Sequence, residues 1–283
     1  MRKGLILEGG AMRGMFTAGV LDVMMENGIT FDGAAGVSAG AVFGCNFKSG
    51  QIGRVIRYNT KYCRDRRYCS LYSLLKTGDL YGADFCYREI PENLDIFDEE
   101  AFEKNPMPFY VVATDVETGM PVYRRCNTGT GEDLLWMRAS ASMPMVSRPV
   151  EIGDRLFLDG GMSDSIPLRF MEGIGYRKNV VVLTRPAAYR KKEKGLGAMR
   201  LFLRKYPYLA LAMEERPYVY NETLSYIKEK EEKGEVFVIR PEEALDLARI
   251  EKKPERLRAA YEAGRRIAEN KLEGLRDFLK DNE

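Results

Sequence analysis

The sequence predicts an α/β protein with a mostly parallel central sheet and a helical C-terminal extension. Two observations lead to this prediction. A strand, a glycine-bearing loop and a helix follow each other twice before residue 50, and charged helical segments dominate after Pro186. Repeated strand–loop–helix units favour parallel strands with helices packed on them. We therefore assign residues 1–185 to a core and residues 186–283 to an extension packed on it as one structural unit.

Apolar patterns and glycine define the two N-terminal units. Gly4–Glu8 is a short apolar strand, Gly9–Gly14 is the loop, and Met15–Asn27 carries apolar residues on one helical face. In the second unit, Ala34–Val37 is the strand and Ala39–Lys48 is a helix that is apolar nearly all round. A helix without a polar face is typical of a buried position.

Later segments supply the remaining strands of the predicted sheet. The run at 109–113 is a strand, and Met120–Arg124 is its neighbour across a turn. Asp133–Ala141 is predicted to be helical and Arg155–Leu158 to be a short strand. Three consecutive valines in Asn179–Thr184 are typical of a buried strand.

Two further regions are predicted in less detail. Residues 51–104 are expected to form helices and loops. In the extension, Glu235–Ile239 is predicted to be a strand. Pro254–Lys280 is predicted to be one long amphipathic helix, because its apolar residues recur at helical spacing.

Composition restricts the classes of function. The net charge is +2, so no global charge favours nucleic acid as a partner. No run approaches the ~18 apolar residues of a membrane-spanning helix, and Met1–Glu8 lacks the long apolar region of a signal peptide. We expect a cytoplasmic protein, with peripheral contact to a membrane left open. The sequence does not determine an oligomeric state.

Cysteine and histidine usage narrows the possible chemistry further. Five cysteines at irregular spacings, with no C-x-x-C pair, disfavour a disulfide framework and structural zinc. The chain contains no histidine, which removes Ser-His-Asp chemistry, Cys-His chemistry and every histidine-ligated metal. We expect no metal and no cofactor. Any acid–base chemistry must use Asp, Glu, Lys, Tyr or Cys.

A candidate nucleophile lies between the second strand and the second helix. Gly36-Val37-Ser38-Ala39-Gly40 fits the pattern G-x-S-x-G in its required strand-to-helix context. A serine on such a turn is pushed into the open by a strained backbone, and Gly36 and Gly40 relieve clashes on either side. The helix N-terminus beside Ser38 favours developing negative charge. The alternative is a serine that only caps the helix.

The loop from Glu8 to Gly14 is a candidate oxyanion hole. Its glycines let backbone N–H groups turn toward a carbonyl oxygen that becomes negative during acyl transfer. A Walker A motif is excluded because Met15 follows Gly14, and a G-x-G-x-x-G fingerprint is interrupted by Ala11. A tight turn without function is the alternative. Arg13 could bind an anionic headgroup, or it could pair with Glu8 or another acid and brace the loop.

Asp159 is the candidate general base. It ends a short strand and is followed by Gly160 and Gly161, which permit close approach of the backbone. An ordinary Asp, with a pKa of ~3.9, is poorly matched to neutral pH, so burial would have to raise its pKa. The alternative is a common Asp-Gly turn.

The three motifs in this order resemble the patatin-like phospholipase family. That family carries a glycine-rich loop with a basic residue, then G-x-S-x-G, then D-G-G or D-G-A, and uses a Ser–Asp dyad without histidine. The resemblance covers about residues 4–185 and implies a three-layer α/β/α fold. The segment Ala139–Pro149 is also similar to the family. The resemblance implies these roles: Ser38 as nucleophile, Asp159 as base, and Gly9, Gly10, Ala11, Arg13 and Gly14 as the oxyanion site.

Two residues depart from the family's usual D-G-G-G loop. Glu8 replaces the first acid and Ala11 replaces the third glycine. Alanine keeps its backbone N–H, so the hole is expected to survive if residue 11 has an ordinary φ. A positive φ at this position would compromise the hole, because it disfavours any residue with a Cβ.

The motifs together predict a serine acyl hydrolase of the lipase or phospholipase A type. It would cleave acyl esters of lipids through a Ser–Asp dyad and an acyl-enzyme. One alternative is a catalytically weak or silent lipid-binding module of the same fold. Another is a nucleotide-binding α/β protein that uses the loop at Gly9–Gly14.

Two basic stretches bear on contact with membranes. Arg185–Lys205 contains eight basic residues and one acid, with apolar residues interleaved, and Arg54–Arg67 is a second, tyrosine-bearing stretch. For each stretch, a solvated face with its apolar side packed on the core is the favoured alternative. Glu89–Glu103 is acidic and would oppose contact on its own face. We expect transient contact with a membrane surface at most.

Overall fold

The computed structural model describes residues 1–193, 195–197, 199–248 and 250–280. Within these residues, eight strands form one sheet. The strands are β1 (Lys3–Leu7), β2 (Gly33–Val37), β3 (Phe109–Asp115), β4 (Pro121–Cys126), β5 (Val150–Ile152), β6 (Arg155–Asp159), β7 (Lys178–Val182) and β8 (Val236–Ile239).

Helices connect these strands. They are α1 (Gly14–Glu26), α2 (Ala39–Lys48), α3 (Arg54–Tyr62), α4 (Leu71–Thr77), α5 (Glu99–Lys104), α6 (Glu132–Ser140), α7 (Leu168–Gly173), α8 (Met199–Phe202), α9 (Pro207–Glu232), α10 (Pro254–Asn270) and α11 (Leu272–Leu279). Short 3-10 turns occur at Ala11–Arg13, Gly160–Met162 and Leu203–Lys205, and a π-helical segment spans Phe85–Leu94.

The sheet is parallel at its centre. Its strand order is β5-β6-β3-β2-β1-β7-β8, with β4 also paired to β3. The neighbours among β3, β2, β1, β7 and β8 are parallel, whereas β4, β5 and β6 form antiparallel pairs. The carboxyl ends of the parallel strands therefore meet at one edge, where ligands bind in open α/β sheets.

Alternating residues of the strands face two separate helical layers. Leu5 and Leu7 of β1 pack with residues of α1, α2 and α10. Ile6 packs on the other face with residues of α7 and α9. This alternation follows from the two-residue period of a strand. The predicted three-layer α/β/α arrangement with a mostly parallel sheet is confirmed.

Helices α1 and α10 cross in close contact. A Cβ at Gly19 of α1 would lie 2.1 Å from the carbonyl oxygen of Tyr261 on α10. Reciprocally, a Cβ at Gly264 would lie 2.0 Å from the carbonyl oxygen of Phe16. Next to this crossing, the Tyr261 hydroxyl donates a 2.7 Å hydrogen bond to the buried carboxylate of Asp22. Two glycines thus allow backbone-to-backbone packing between the start and the end of the chain.

The C-terminal residues differ from the predicted single helix. The predicted helix Pro254–Lys280 is wrong in one respect, because α10 ends at Asn270 and α11 begins at Leu272. Lys271 leaves the helical conformation and donates a 3.1 Å hydrogen bond to the carbonyl of Val238 in β8. This bend lets α11 pack its apolar side into the core beneath the sheet. Strand β8 itself pairs with β7 and extends the central sheet.

Candidate active site

Ser38 occupies a strained turn between β2 and α2. Its backbone has φ 54° and ψ −120°, a region that residues with a Cβ rarely adopt. A Cβ at Gly36 would lie 2.4 Å from the carbonyl oxygen of Gly40. A Cβ at Gly40 would lie 2.3 Å from the carbonyl oxygen of Leu7. The two glycines are therefore needed for the chain to make this turn.

The sheet brings Ser38 and Asp159 together. Val37, which precedes Ser38, is level with Val112 of β3, and Asp159 is paired with Ala113 on the other side of β3. The two residues therefore flank β3 at nearly the same height. The Ser38 hydroxyl donates a 2.8 Å hydrogen bond to Oδ2 of Asp159. This is the geometry in which a carboxylate can take the proton of a nucleophile.

Asp159 is held at both its side chain and its backbone. Its Oδ1 accepts a 2.7 Å hydrogen bond from the N–H of Gly161. Its carbonyl oxygen accepts one from the Thr114 hydroxyl at 2.8 Å, and its N–H donates to the carbonyl of Ser142 at 2.8 Å. Gly160 lies against β3, where a Cβ would be 2.1 Å from the carbonyl oxygen of Val112. The carboxylate is thus aimed at Ser38 by the backbone around it.

Burial raises the pKa of Asp159, as a general base at this position requires. The residue is 4% exposed, and burial raises its pKa above the ordinary value. The hydrogen bond from Ser38 and the charge of Arg216 act in the opposite direction without cancelling the effect of burial. A carboxylate with a raised pKa is a better match to a serine hydroxyl at neutral pH.

Ser140 supports the turn, although it belongs to none of the three motifs in the sequence. The last residue of α6, it accepts a 2.8 Å hydrogen bond at its hydroxyl from the backbone N–H of Ser38. The bond fixes the strained residue at its amide. The signal available in the sequence was the family-like segment Ala139–Pro149, which starts one residue before Ser140.

The glycine loop carries free N–H groups next to Ser38. A Cβ at Gly9 would lie 3.1 Å from the Cβ of Ser38, so the loop passes directly beside the hydroxyl. Among the residues that the structure describes, the N–H groups of Gly9, Gly10 and Ala11 form no hydrogen bond. Gly14 begins α1 and packs against Phe43. Free donors beside a nucleophile are what an oxyanion hole requires.

Ala11 does not have the ordinary φ on which an intact hole was made conditional. Its φ is 48°, in the left-handed region that favours glycine. The chain therefore keeps the backbone shape of a glycine at this position and carries the strain of a Cβ, of order 1–3 kcal/mol. The condition for a compromised hole is therefore met as a cost in strain, while the N–H of Ala11 forms no hydrogen bond within the described part of the chain and stays available as a donor.

Glu8 and Arg13 do not pair with each other to brace the loop. Buried Glu8 instead accepts hydrogen bonds from the N–H and hydroxyl of Thr184, at 2.5 and 3.0 Å, and from the Tyr220 hydroxyl at 2.5 Å. The Arg13 side chain forms no hydrogen bond or ion pair with any residue that the structure describes. Of the two roles considered for Arg13, bracing through Glu8 is therefore not realised.

An apolar pocket opens at Ser38. Its volume is about 120 Å³, close to that of an engineered protein cavity of ~150 Å³ that admits benzene. The π-helical segment forms one wall, and helices α2 and α6 form others. The aliphatic and aromatic residues of these walls include Met12, Val42, Phe43, Tyr87, Ile90 and Met137.

One of the two basic stretches is partly buried in the protein. Arg54, in the stretch Arg54–Arg67, is buried and donates hydrogen bonds to the carbonyl of Asp95 and to Oδ1 of Asn46. That end of the stretch is part of the packed structure. In Arg185–Lys205, Lys194 and Ala198, together with the side chains of Arg200 and Phe202, lie outside the described residues.

The described residues offer neither a metal-binding cluster nor a membrane-spanning helix. No group of three or more cysteine or acidic side chains is arranged to hold a metal ion. No helix in the described ranges combines the length and apolar character needed to cross a membrane.

The fold and the site together define an α/β protein with a serine elbow, a buried carboxylate and a glycine-rich donor loop. The family model described as Patatin-like phospholipase matches residues 5–171. This match covers more than half of the chain, and the chain belongs to that family. A second model, described as a domain of unknown function (DUF6363), matches residues 206–280. Membership in the family supports a lipid-hydrolase type of function.

Three individual proteins illustrate what this chain is similar to. The uncharacterized protein YjjU of Escherichia coli is 29% identical over 93% of this chain and 75% of its own length. An uncharacterized NTE family protein of Mycobacterium bovis is 28% identical over 64% of this chain. The aligned region spans about half, 48%, of that relative. The structure of VipD from Legionella pneumophila is similar with a TM-score of 0.49 and 13% identity, covering 96% of this chain and 67% of VipD.

Proposed function

We propose that the protein is a serine acyl hydrolase that cleaves carboxylic esters of lipids with a Ser38–Asp159 dyad. One observation carries the proposal: a serine that lines an apolar pocket and stands on a strained elbow donates a 2.8 Å hydrogen bond to a buried carboxylate. Family membership supports the general class of activity. Both residues come from the motifs that the sequence presents in family order.

In the first half of the reaction, Ser38 attacks the ester carbonyl while Oδ2 of Asp159 accepts the hydroxyl proton. The carbonyl oxygen becomes negative, and we expect the unbonded N–H groups of Gly9, Gly10 and Ala11 to donate to it. Collapse of this intermediate breaks the bond to the alcohol. Asp159 returns the proton to the leaving oxygen, and an acyl-serine remains.

In the second half, water replaces the alcohol. Asp159 accepts a proton from this water as the water attacks the acyl-serine, and the same donors hold the oxyanion again. The bond between acyl group and Ser38 breaks, Ser38 regains its proton from Asp159, and a fatty acid leaves. The same carboxylate therefore serves as base and acid in both halves.

The pocket indicates which part of the substrate lies next to Ser38. Its walls are aliphatic and aromatic, so they match an acyl chain rather than a polar alcohol. With a volume of about 120 Å³, the pocket accommodates a short chain without rearrangement. A butyryl ester is therefore the matched first substrate.

A fluorophosphonate probe tests the nucleophile directly. We expect the probe to label the wild type at Ser38, and Ser38→Ala to lose both labelling and hydrolysis of p-nitrophenyl butyrate. Ser225→Ala is the matched control, because Ser225 is exposed on α9 and should be labelled as the wild type is. An unlabelled wild type, or equal labelling of Ser38→Ala, would reject the proposal.

The two alternative functions have their own outcomes. A fold that stays intact, binds lipid and never reacts with the probe would favour the silent lipid-binding module. Tight binding of ATP or NAD in calorimetry would favour a nucleotide-binding protein. The loop at Gly9–Gly14 lacks the spacing that such binding needs.

We infer that the transient membrane contact involves helix α4. Leu71 and Leu75 stand on one face of this helix and are 71% and 89% exposed. The guanidinium of Arg66 and the ammonium of Lys76 lie over the ring of Tyr72 on the same helix. Exposed leucines with aromatic and cationic neighbours suit an anionic lipid surface. Tyr68 and Tyr81, which flank α4 in sequence, line the pocket. Contact between α4 and a membrane would therefore bring the pocket close to lipid.

Measuring vesicle binding beside ester hydrolysis distinguishes membrane contact from catalysis. The double variant Leu71→Asp/Leu75→Asp is expected to bind anionic vesicles at least severalfold more weakly, while p-nitrophenyl butyrate is hydrolysed as before. Ile174→Asp is the control, because Ile174 lies at the opposite sheet edge, where its carbonyl accepts a hydrogen bond from Arg2. Equal vesicle binding by the double variant and the wild type would remove α4 from the contact.

A further inference from the structure

Four basic side chains form a connected group whose members Lys191 and Arg216 act on the charge of Asp159. Arg13 comes from the glycine loop, Arg185 and Lys191 from the segment after β7, and Arg216 from α9. All four are half-buried. The dyad chemistry proposed above uses none of them. We call this group, Arg13, Arg185, Lys191 and Arg216, the cation cluster.

Aromatic rings place two of the cations. The guanidinium of Arg185 lies 4.5 Å from the ring centre of Tyr189, and the ammonium of Lys191 lies 3.9 Å from the ring centre of Tyr220. The two rings themselves meet edge to face at 6.1 Å. Asn221 holds the backbone of Lys191 from both sides, accepting from its N–H at 2.8 Å and donating to its carbonyl at 2.9 Å.

Three members of the cluster, Arg13, Arg185 and Lys191, carry side-chain donors without a hydrogen-bond acceptor among the described residues. Nε of Arg13 and Nε of Arg185 are buried and form no hydrogen bond with any described residue. Within the same ranges, the Lys191 side chain forms no hydrogen bond or ion pair. Buried charged donors without acceptors are costly, and a ligand that accepts from them recovers that cost.

The carboxylates nearby are already engaged. Glu8 accepts three hydrogen bonds from Thr184 and Tyr220, and Oδ2 of Asp159 accepts one from Ser38. The charge of Glu8 acts on Arg13 and Lys191, and that of Asp159 acts on Lys191, so these two carboxylates offset part of the positive charge of the cluster.

Arg216 connects the cluster to the dyad. A Cβ at Gly161 would lie 3.4 Å from Nη2 of Arg216 and 3.0 Å from Oδ1 of Asp159. The guanidinium is therefore next to the catalytic carboxylate. An anion held by the cluster would lie beside the ester that Ser38 attacks.

The pKa values agree with crowded positive charge. Burial, and after it the charge of Arg216, lower the pKa of Lys191 to about 7. Burial, and after it the charge of Arg185, lower the pKa of Arg13. Holding these basic groups close together in a partly buried position is unfavourable. Shifted pKa values of this kind are typical of functional sites.

We propose that the cation cluster binds the phosphate of the acyl-ester substrate and that it prefers a phosphomonoester headgroup. This proposal rests on the proposed function, because it names the substrate class of the same site. A phosphomonoester offers several acceptor oxygens and close to two negative charges, which suits three or four convergent donors. A zwitterionic headgroup brings an ammonium group, and Glu8 and Asp159 are not free to receive it.

Calorimetry with soluble short-chain lipids tests the preference without hydrolysis. The protein is Ser38→Ala, and the probes are monomeric dihexanoyl phosphatidate and dihexanoyl phosphatidylcholine. We expect the phosphatidate to bind at least roughly tenfold more tightly, the difference that one charge-assisted hydrogen bond supplies. Equal affinities would overturn the proposal. Glycerol 3-phosphate is the third probe, and binding as tight as that of the phosphatidate would assign the site to free phosphates instead.

Variants in the same background connect the preference to the cluster. Lys191→Met and Arg185→Met are each expected to reduce the preference by roughly tenfold, whereas Lys191→Arg should retain it because the charge remains. Lys228→Met is the control, since Lys228 is 63% exposed and pairs with Glu232 on α9. Circular dichroism checks that each variant is folded. A preference that survives loss of either charge would overturn the assignment.

The two proposals fail in different ways. If the wild type does not react with the fluorophosphonate probe but Ser38→Ala prefers phosphatidate, the esterase proposal is rejected and the anion site stands. If the probe labels Ser38 but the affinities for the two lipids are equal, the esterase proposal stands and the phosphate site is rejected.

Discussion

Asp22 and Asp159 are two buried carboxylates with the same kinds of hydrogen-bond partner, and we propose a catalytic role for only one of them. Their exposures are 3% and 4%. Asp22 accepts a hydrogen bond from the Tyr261 hydroxyl at 2.7 Å and from a backbone N–H at 3.0 Å. Asp159 accepts one from the Ser38 hydroxyl at 2.8 Å and from a backbone N–H at 2.7 Å. Burial raises the pKa of both.

The hydroxyl partners explain why we assign catalysis to only one of these pairs. Tyr261 lies in the tight crossing of α1 and α10 and does not line the pocket at Ser38. Ser38 lies on a strained turn, lines the apolar pocket and has the free N–H groups of the loop next to it. Burial and a raised pKa therefore do not identify a general base. A reachable nucleophile and oxyanion donors are needed as well.

The largest expected effect separates the two carboxylates by activity. Asp159→Asn should reduce kcat/KM for p-nitrophenyl butyrate by ~10⁴-fold, about 5.5 kcal/mol, because the amide cannot accept the Ser38 proton. Asp22→Asn should stay within about threefold of the wild type. Steady-state kinetics on variants of equal ellipticity measure both values. Similar losses in the two variants would remove the functional distinction.

The next effect is the dependence of activity on pH. The proposed base must be ionised, so kcat/KM should fall about tenfold per pH unit below the folded-state pKa of Asp159. Because burial raises this pKa, the fall should begin above the ordinary value of ~3.9. Asp22→Asn should leave the profile unchanged. A flat profile between pH 4 and 8 in the wild type would contradict the role of Asp159.

Stability should show the opposite ranking of the two sites. Tyr261→Phe should cost about 2 kcal/mol, because it takes one hydrogen bond from a carboxylate sealed between helices. Ser38→Ala should cost less than about 1 kcal/mol, since water in the pocket can replace the lost hydroxyl. Urea unfolding measures both free energies. Equal costs would mean that the pocket is as dry as the helix crossing.

The smallest effect concerns backbone strain near each site. Ala11→Gly should stabilise the protein by about 1 kcal/mol, because Ala11 has a φ of 48° that glycine adopts without strain. Ala18→Gly, in α1 one turn before Asp22, should destabilise it by about 1 kcal/mol through lost helix propensity. Thermal unfolding gives the sign of each change. Destabilisation by Ala11→Gly would show that the loop is not strained.

Much of the fold could be predicted because its strands and helices are local patterns. The five parallel strands carry short apolar runs, and the helices after β1 and β2 begin at glycine-bearing turns. Strand β5 was missed because Val150–Ile152 is too short to show a period. The bend at Lys271 was missed because the apolar spacing continues across it, and its cause is a contact with β8.

The site was predictable to the extent that single motifs carry it. Ser38 and Asp159 both stand in recognisable glycine contexts, yet their meeting depends on β6 pairing antiparallel to β3. No local sequence pattern predicts that pairing of strands. The wall of the pocket comes from the π-helical segment Phe85–Leu94, which contains Pro91 and has no periodic signal. The position of the Lys191 ammonium depends on the ring of Tyr220, which comes from α9 and is not a local neighbour in sequence.

The crossing of Gly19 and Gly264 has a consequence for how the chain is made. The two glycines lie nearly the whole length of the chain apart, and neither helix can be fully packed without the other. At ~5–20 residues per second, a ribosome delivers α10 on the order of tens of seconds after α1. Through that interval, α1 keeps an uncovered face, and the glycine loop attached to it lacks part of its support. The proposed site is therefore expected to reach its final geometry only after α10 has been made and has packed on α1.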